Sequence, residues 1–207
     1  MDNELLENYV VKYMISVTEK YLNENFSKDH SNTFSKEFIR ILQEENYDNI
    51  DIKHLMNPPF VISLYEAIKE DITDLDELEK HMMSIDRDTI EDVIKTTQDQ
   101  MRSLENKWIA YIEAAKEGNT SLYDNDLFQQ EVLEDSEKNY KFVLRKCYYF
   151  EILKKRGYEH LGPALCNYEY LLLEGVDEWI TFTREETIAN GAEKCDFFFS
   201  PKPSAFE

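Results

Sequence analysis

The chain has 207 residues, 42% of them hydrophobic and 13% aromatic, which is enough to bury a sizeable core and excludes a disordered tail. Lys plus Arg is 23 against 43 Asp plus Glu, a formal charge of −20 that repels phosphate backbones and anionic lipid, so neither nucleic acid nor a membrane surface is an expected partner. No apolar run approaches the roughly 18 residues of a membrane span, and the start Met1-Asp2-Asn3-Glu4 lacks the basic and apolar regions of a secretory signal, so the expected address is the cytosol.

Leu6, Tyr9, Val10, Tyr13, Met14, Val17 and Tyr21 recur at three- and four-residue steps. They predict a helix from about Glu4 to Asn25 with that stripe facing the core. A second helix is predicted over Ser35–Glu45, carrying Phe38, Ile41 and Leu42. The Pro58-Pro59 pair then breaks the pattern before a shorter helix over Phe60–Ile72. Asp88 and Glu91 form a capping pair ahead of Ile90, Val93, Ile94, Thr97, Met101, Leu104, Trp108 and Ile112, which predicts one long helix stopping at Gly118. Met101 and Trp108 on this stripe are read as packing rather than as the lining of a ligand cavity.

After a loop over Asn119–Asp126 the pattern changes to alternation. Leu127–Glu134 and Lys138–Cys147 predict a hairpin around Asp135, Ser136 and Glu137. Tyr148–Arg156 reads as a helix closed by Gly157 and Pro163–Glu174 as another closed by Gly175. Trp179–Ala189 and Cys195–Phe199 predict a second strand pair around the Asn190-Gly191 turn signal. The expected fold is α+β, a single domain over 1–207. A helical half (1–118) precedes a mostly antiparallel small sheet with two inserted short helices (119–207). Charge divides similarly: residues 1–137 hold 13 basic and 32 acidic side chains, residues 138–207 hold 10 and 11. An acidic helical half permits docking of a basic partner, but such helices are ordinarily solvated faces.

Gly-rich phosphate loops, GxSxG elbows, HExxH and CxxC pairs are all absent from the sequence. His30, His54, His81 and His160 show no ligand spacing and are read as surface or capping residues. What remains is cysteine: three, an odd number without an export signal, so thiols rather than a disulfide scaffold are expected. Cys147 falls where a strand is predicted to pass into a helix, Cys166 in the first turns of the next helix, and Cys195 opens the last strand. A helix N-terminus lowers a nearby thiol pKa, which favours Cys147 and Cys166 as reactive groups; the bland reading is three small buried hydrophobes.

The order Arg145-Lys146-Cys147-Tyr148-Tyr149, Glu151-Ile152-Leu153-Lys154 with Gly157, Leu165-Cys166 with Glu169 and Glu174-Gly175, Phe182-Thr183-Arg184 with Thr187, Ala189 and Gly191, then Cys195-Asp196-Phe197, resembles the L-2-amino-thiazoline-4-carboxylic acid hydrolase family. The resemblance covers roughly the last third of the chain. It implies hydrolysis of a cyclic amidine at the carbon between ring nitrogen and sulfur, opening the ring to a carbamoyl-cysteine. Cys147, Cys166 and Cys195 match the motif cysteines, Asp196 the acid after the last one, and Arg184 the motif arginine. Glu169 stands where the family usually has Asp, and Glu185 where it has Thr.

The expected mechanism uses a thiolate nucleophile, a carboxylate (Glu169 or Asp196) as proton shuttle, and Arg184 to hold the substrate acid group. Cys166 is the first choice of nucleophile, because Glu169 lies three residues further along the same predicted helix; Cys147 is next. No cofactor is expected, the alternative being a metal gripped by the three thiolates and a carboxylate. A different class also fits the layout: a non-catalytic small-molecule-binding or regulatory domain resembling the vinyl-reductase type. The Phe198, Phe199 and Phe206 cluster is read as core, with a homodimer surface as the alternative.

Overall fold

The computed structural model describes residues 7–45 and 50–206, the side chains at 88, 89 and 168 excepted. The fold is α+β: a helical N-terminal half followed by a four-stranded antiparallel sheet and short helices. The chain forms two compact units, Met1–Thr89 with Ile152–Tyr168, and Ile90–Glu151 with Glu169–Glu207. Among the described residues no helix is long and apolar enough to cross a membrane.

The first unit is built on α1 (Tyr9–Asn25), capped by Asn8, whose Oδ1 accepts from the Val10 amide at 2.9 Å. The predicted stripe is borne out in its second half, where Met14, Val17 and Tyr21 pack against the core, but not in its first. Val11, Thr18 and Leu22 are fully buried, whereas Tyr9 is 78% exposed and Val10 and Tyr13 also face solvent. Thr18 disguises that face in the sequence; its hydroxyl satisfies itself by donating to the Met14 carbonyl at 2.8 Å. Leu6 lies outside the described residues.

Helix α2 (Lys28–Glu44) begins seven residues earlier than expected, because Ser31 and Phe34 continue the buried row of Phe38, Ile41 and Leu42. His30 ties its first turn down, sharing hydrogen bonds with Ser27 Oγ at 2.7 Å and Asp71 Oδ2 at 2.8 Å. After the single turn α3 (Ile52–Leu55), the two prolines open α4 (Asn57–Ile68) rather than separating it from what precedes, since proline in a first turn gives up an amide that has no helical partner.

The long helix expected over Asp88–Gly118 is two helices. Helix α5 spans Leu75–Arg102 with Asp88 inside it, and α6 spans Lys107–Tyr123, running straight past Gly118. The break is set by Asn106, whose Oδ1 accepts from the Ile109 amide at 3.1 Å and starts α6 afresh.

In the second unit β1 (Gln130–Asp135) and β2 (Tyr140–Leu144) form the expected hairpin. Its turn is closed by Ser136 N donating to the Asn139 carbonyl at 2.9 Å. Strand β3 (Ile180–Thr183) and β4 (Cys195–Pro201) complete an antiparallel sheet of order β1-β2-β4-β3. Cross-strand aromatics hold it together: Phe142 stacks on Phe197 with centroids 4.5 Å apart, and Phe182 meets Phe199 at a tilt, 4.9 Å away. Trp108 of α6 is buried and donates from Nε1 to the Glu137 carbonyl at 2.7 Å, fastening the helix to the hairpin turn.

Helix α7 (Tyr148–Lys155) is closed by Gly157 at φ +78°, as the sequence predicts. The helix expected over Pro163–Glu174 is instead divided into α8 (Gly162–Cys166) and α9 (Tyr168–Leu173). Between them Asn167 sends its amide to Glu79 Oε2 at 2.7 Å.

Gly175 follows α9 at a close approach: a Cβ there would meet the Thr97 side chain at 3.3 Å and the Ile94 carbonyl at 3.5 Å. Gly175→Ala is therefore expected to destabilise the protein by about 1 kcal/mol through overpacking against α5, read as a lowered urea midpoint at unchanged slope.

Candidate functional site

Antiparallel pairing decides which motif residues meet. In β4 Cys195 pairs with Leu144 and Asp196 with Val143, so Cys147, three residues beyond Leu144, leaves β2 at the end of the sheet where β4 begins. Strand β3 runs Ile180 against Pro201 and Thr183 against Phe198, which delivers Arg184 to that same end. Helix α9 supplies Glu169 from its first turn and α6 supplies Tyr123 from its last.

Glu169 is the hub. Its Oε2 is bonded by Arg184 Nη1 and its Oε1 accepts a long hydrogen bond, 3.3 Å, from the Tyr123 hydroxyl. The Arg184 side chain is 4% exposed and that of Glu169 27% exposed. The guanidinium also lies against the Tyr170 ring, 5.2 Å from its centroid, and the Phe197 ring at 5.7 Å. Burial pushes the Glu169 carboxyl above the ordinary glutamate range, with Arg184 and Tyr123 pulling in the opposite direction.

Both thiols of this unit sense Glu169. Cys147 is half-buried just before α7, and burial pushes its thiol up to about 12 although the Phe150 and Tyr149 amides favour the thiolate. Cys195 is buried and its Sγ accepts from the Ile188 amide at 3.3 Å; burial raises it as well, with Glu169 adding to the rise. Against the expected lowering of the Cys147 thiol pKa by a helix start, the first turn of α7 does aim amides at the sulfur, but desolvation outweighs them.

Asp196 is buried and committed to the main chain. Its Oδ1 accepts from the amides of Glu185 at 2.9 Å and Glu186 at 2.7 Å, which folds the segment after β3 and sets Arg184 in place. That bend shortens the strand expected over Trp179–Ala189. Glu185, the departure beside the arginine, is exposed. Cys166 is half-buried at the last position of α8, in the first unit, and does not share a helix with Glu169; the expected three-residue spacing along one helix face is lost at Asn167. Among the described residues no group of three or more His, Cys, Asp or Glu side chains is arranged to hold a metal ion.

Tyr123, Tyr170 and Phe197 are the site residues that sequence reasoning missed as such. Of the three only Phe197 lay inside the quoted motif, and nothing local marked it as a seat for Arg184.

A family model described as L-2-amino-thiazoline-4-carboxylic acid hydrolase matches residues 53–199, most of the chain. No functionally curated protein matches this sequence. Among solved structures, the chain is similar to the Fe(II) unliganded H-NOX protein from K. algicida at 13% identity, covering 92% of this chain and 95% of that one, with a TM-score of 0.31, too low to bear on fold or function.

Proposed function

We infer that this chain, which belongs to the L-2-amino-thiazoline-4-carboxylic acid hydrolase family, is a hydrolase that opens a cyclic amidine of the 2-aminothiazoline-4-carboxylate kind to a carbamoyl-cysteine. The observation that carries this reading is the gathering of Cys147, Cys195, Glu169 and Arg184 at one end of the second unit's sheet.

In this reading the substrate carboxylate takes the place of Glu169 on Arg184, and the released carboxylate of Glu169 becomes the proton acceptor. Cys147 gives its proton to Glu169 as the sulfur attacks the amidine carbon. A carbon–sulfur bond to the enzyme forms, the ring C–N bond breaks, and the proton on Glu169 passes to the departing nitrogen. Water then adds at the same carbon and expels the thiol, leaving the carbamoyl group on the product. Cys147 is preferred over Cys195, which is more deeply buried, and over Cys166, which does not share a helix with Glu169. Asp196 is left to hold the bend that carries Arg184.

The test is incubation of the purified protein with 2-aminothiazoline-4-carboxylate while carbamoyl-cysteine is followed. Cys147→Ala is expected to lose about 10³-fold in rate and Cys166→Ala to stay near the parent. The reverse pattern transfers the nucleophile to Cys166. Because attack requires an ionised Glu169 and a protonated Cys147, the rate is expected to rise with pH through a midpoint above the ordinary glutamate range and to hold into mildly alkaline solution. Tight binding of an apolar ligand with no turnover instead returns the non-catalytic, regulatory reading.

A further inference from the structure

We propose that Tyr123 is a positioning residue for Glu169: its hydroxyl, held by an aromatic cage, fixes one carboxylate oxygen while Arg184 holds the other, so that the carboxylate has a defined orientation when the arginine is surrendered to substrate. This rests on the reading of Glu169 as the proton acceptor.

The geometry is built from four separate segments. Tyr123 closes α6; its ring meets Phe128 edge-on at 5.1 Å and lies beside Phe142 at 6.4 Å and Phe197 at 6.5 Å. Those three rings come from the segment before β1, from β2 and from β4, so the tyrosine cannot swing without disturbing the sheet's aromatic stack. Its hydroxyl reaches Glu169 Oε1 at 3.3 Å. Burial raises the phenol well above its ordinary value, so it stays protonated and acts as a donor throughout the working range. The groups facing Glu169 are Tyr123 from α6, Arg184 from the segment after β3, Cys147 from just before α7 and Cys195 from β4. When substrate occupies Arg184, Tyr123 is the donor that stays with the carboxylate.

Tyr123→Phe keeps the ring and removes only the donor. A lost hydrogen bond to an ionised carboxylate raises its pKa, and for a contact this long the Glu169 titration is expected to move up by about half a pH unit. The shift is read by NMR of carboxyl-labelled glutamate, and the acid side of the pH–rate profile should follow it. In the unaltered protein the Tyr123 Cζ resonance should show a step at the Glu169 midpoint, a measurement that needs no variant. An unmoved Glu169 titration in a folded Tyr123→Phe protein, or a Tyr123 resonance without the step, overturns the proposal. A shifted titration in a protein that never opens the aminothiazoline ring upholds the role of Tyr123 on the carboxylate and removes the hydrolase reading instead.

Discussion

Glu169→Gln is expected to cost about 3 kcal/mol of stability, and Arg184→Met clearly less, although both cut the same ion pair. The asymmetry follows from what each survivor can do. Arg184 is 4% exposed and a guanidinium does not give up its proton in a protein, so removing the Glu169 carboxylate takes an anion away from a buried positive charge that cannot neutralise itself. Glu169 left without Arg184 can take up a proton, and burial already pushes it in that direction. Stacking on Tyr170 and Phe197 recovers part of the arginine's loss, which is why the low end of the usual range for a broken buried pair applies. Thermal unfolding at neutral pH should show Glu169→Gln lowered by about 10 °C, taking a few degrees per kcal/mol for a chain of this size. Equal losses for the two variants would mean that the pair is held by geometry rather than by charge.

The sequence carries the fold class and the motif order, but not the phase of faces or the partners of side chains. Period alone located α1, yet its most deeply buried row, Val11, Thr18 and Leu22, lies beside the predicted stripe and passes through Thr18, a residue that looks polar until its hydroxyl is seen returning to Met14. The division of the long helix was marked only by Asn106, a cap whose effect depends on where Trp108 must be buried. At the site, Cys147 after β2 and Cys195 at the start of β4 were legible as strand ends, whereas Arg184 reads as mid-strand in the sequence and reaches that end only because β3 stops at Thr183. Tyr123 was not legible, because it stands 46 positions before Glu169 on a different element, and no local spacing encodes that pairing. The direction of the Cys147 shift was not legible for a related reason: position at a helix start is visible in sequence, whereas the desolvation that opposes it is a property of the packed unit.

The first unit should be more stable in mildly acidic than in alkaline solution, and Asp86→Asn should abolish most of that difference. Asp86 lies within α5, is 6% exposed, and burial raises its carboxyl from 3.8 to about 7. A folded-state pKa above the unfolded value means the native form binds the extra proton, so the stabilisation is complete below about pH 4 and is lost as pH rises through 7. A shift of that size corresponds to about 4 kcal/mol at most, and partial hydration of the ionised group in a relaxed structure reduces it to about 2 kcal/mol. Glu44, Asp51 and Glu66 act in another window: their carboxyls are lowered by partners such as Arg156, Lys53 and Lys69, and their contribution is lost only as pH falls below the ordinary carboxylate range. His81, lowered by burial, tilts the curve the opposite way, and Glu169 tilts it the same way as Asp86. Subtracting the variant's urea-unfolding curve from the parent's at pH 5.5 and pH 8 removes both contributions, since neither changes in Asp86→Asn. The difference should be a gain for the variant at pH 8 that shrinks at pH 5.5; a gain independent of pH would assign the effect to packing, not to the buried charge.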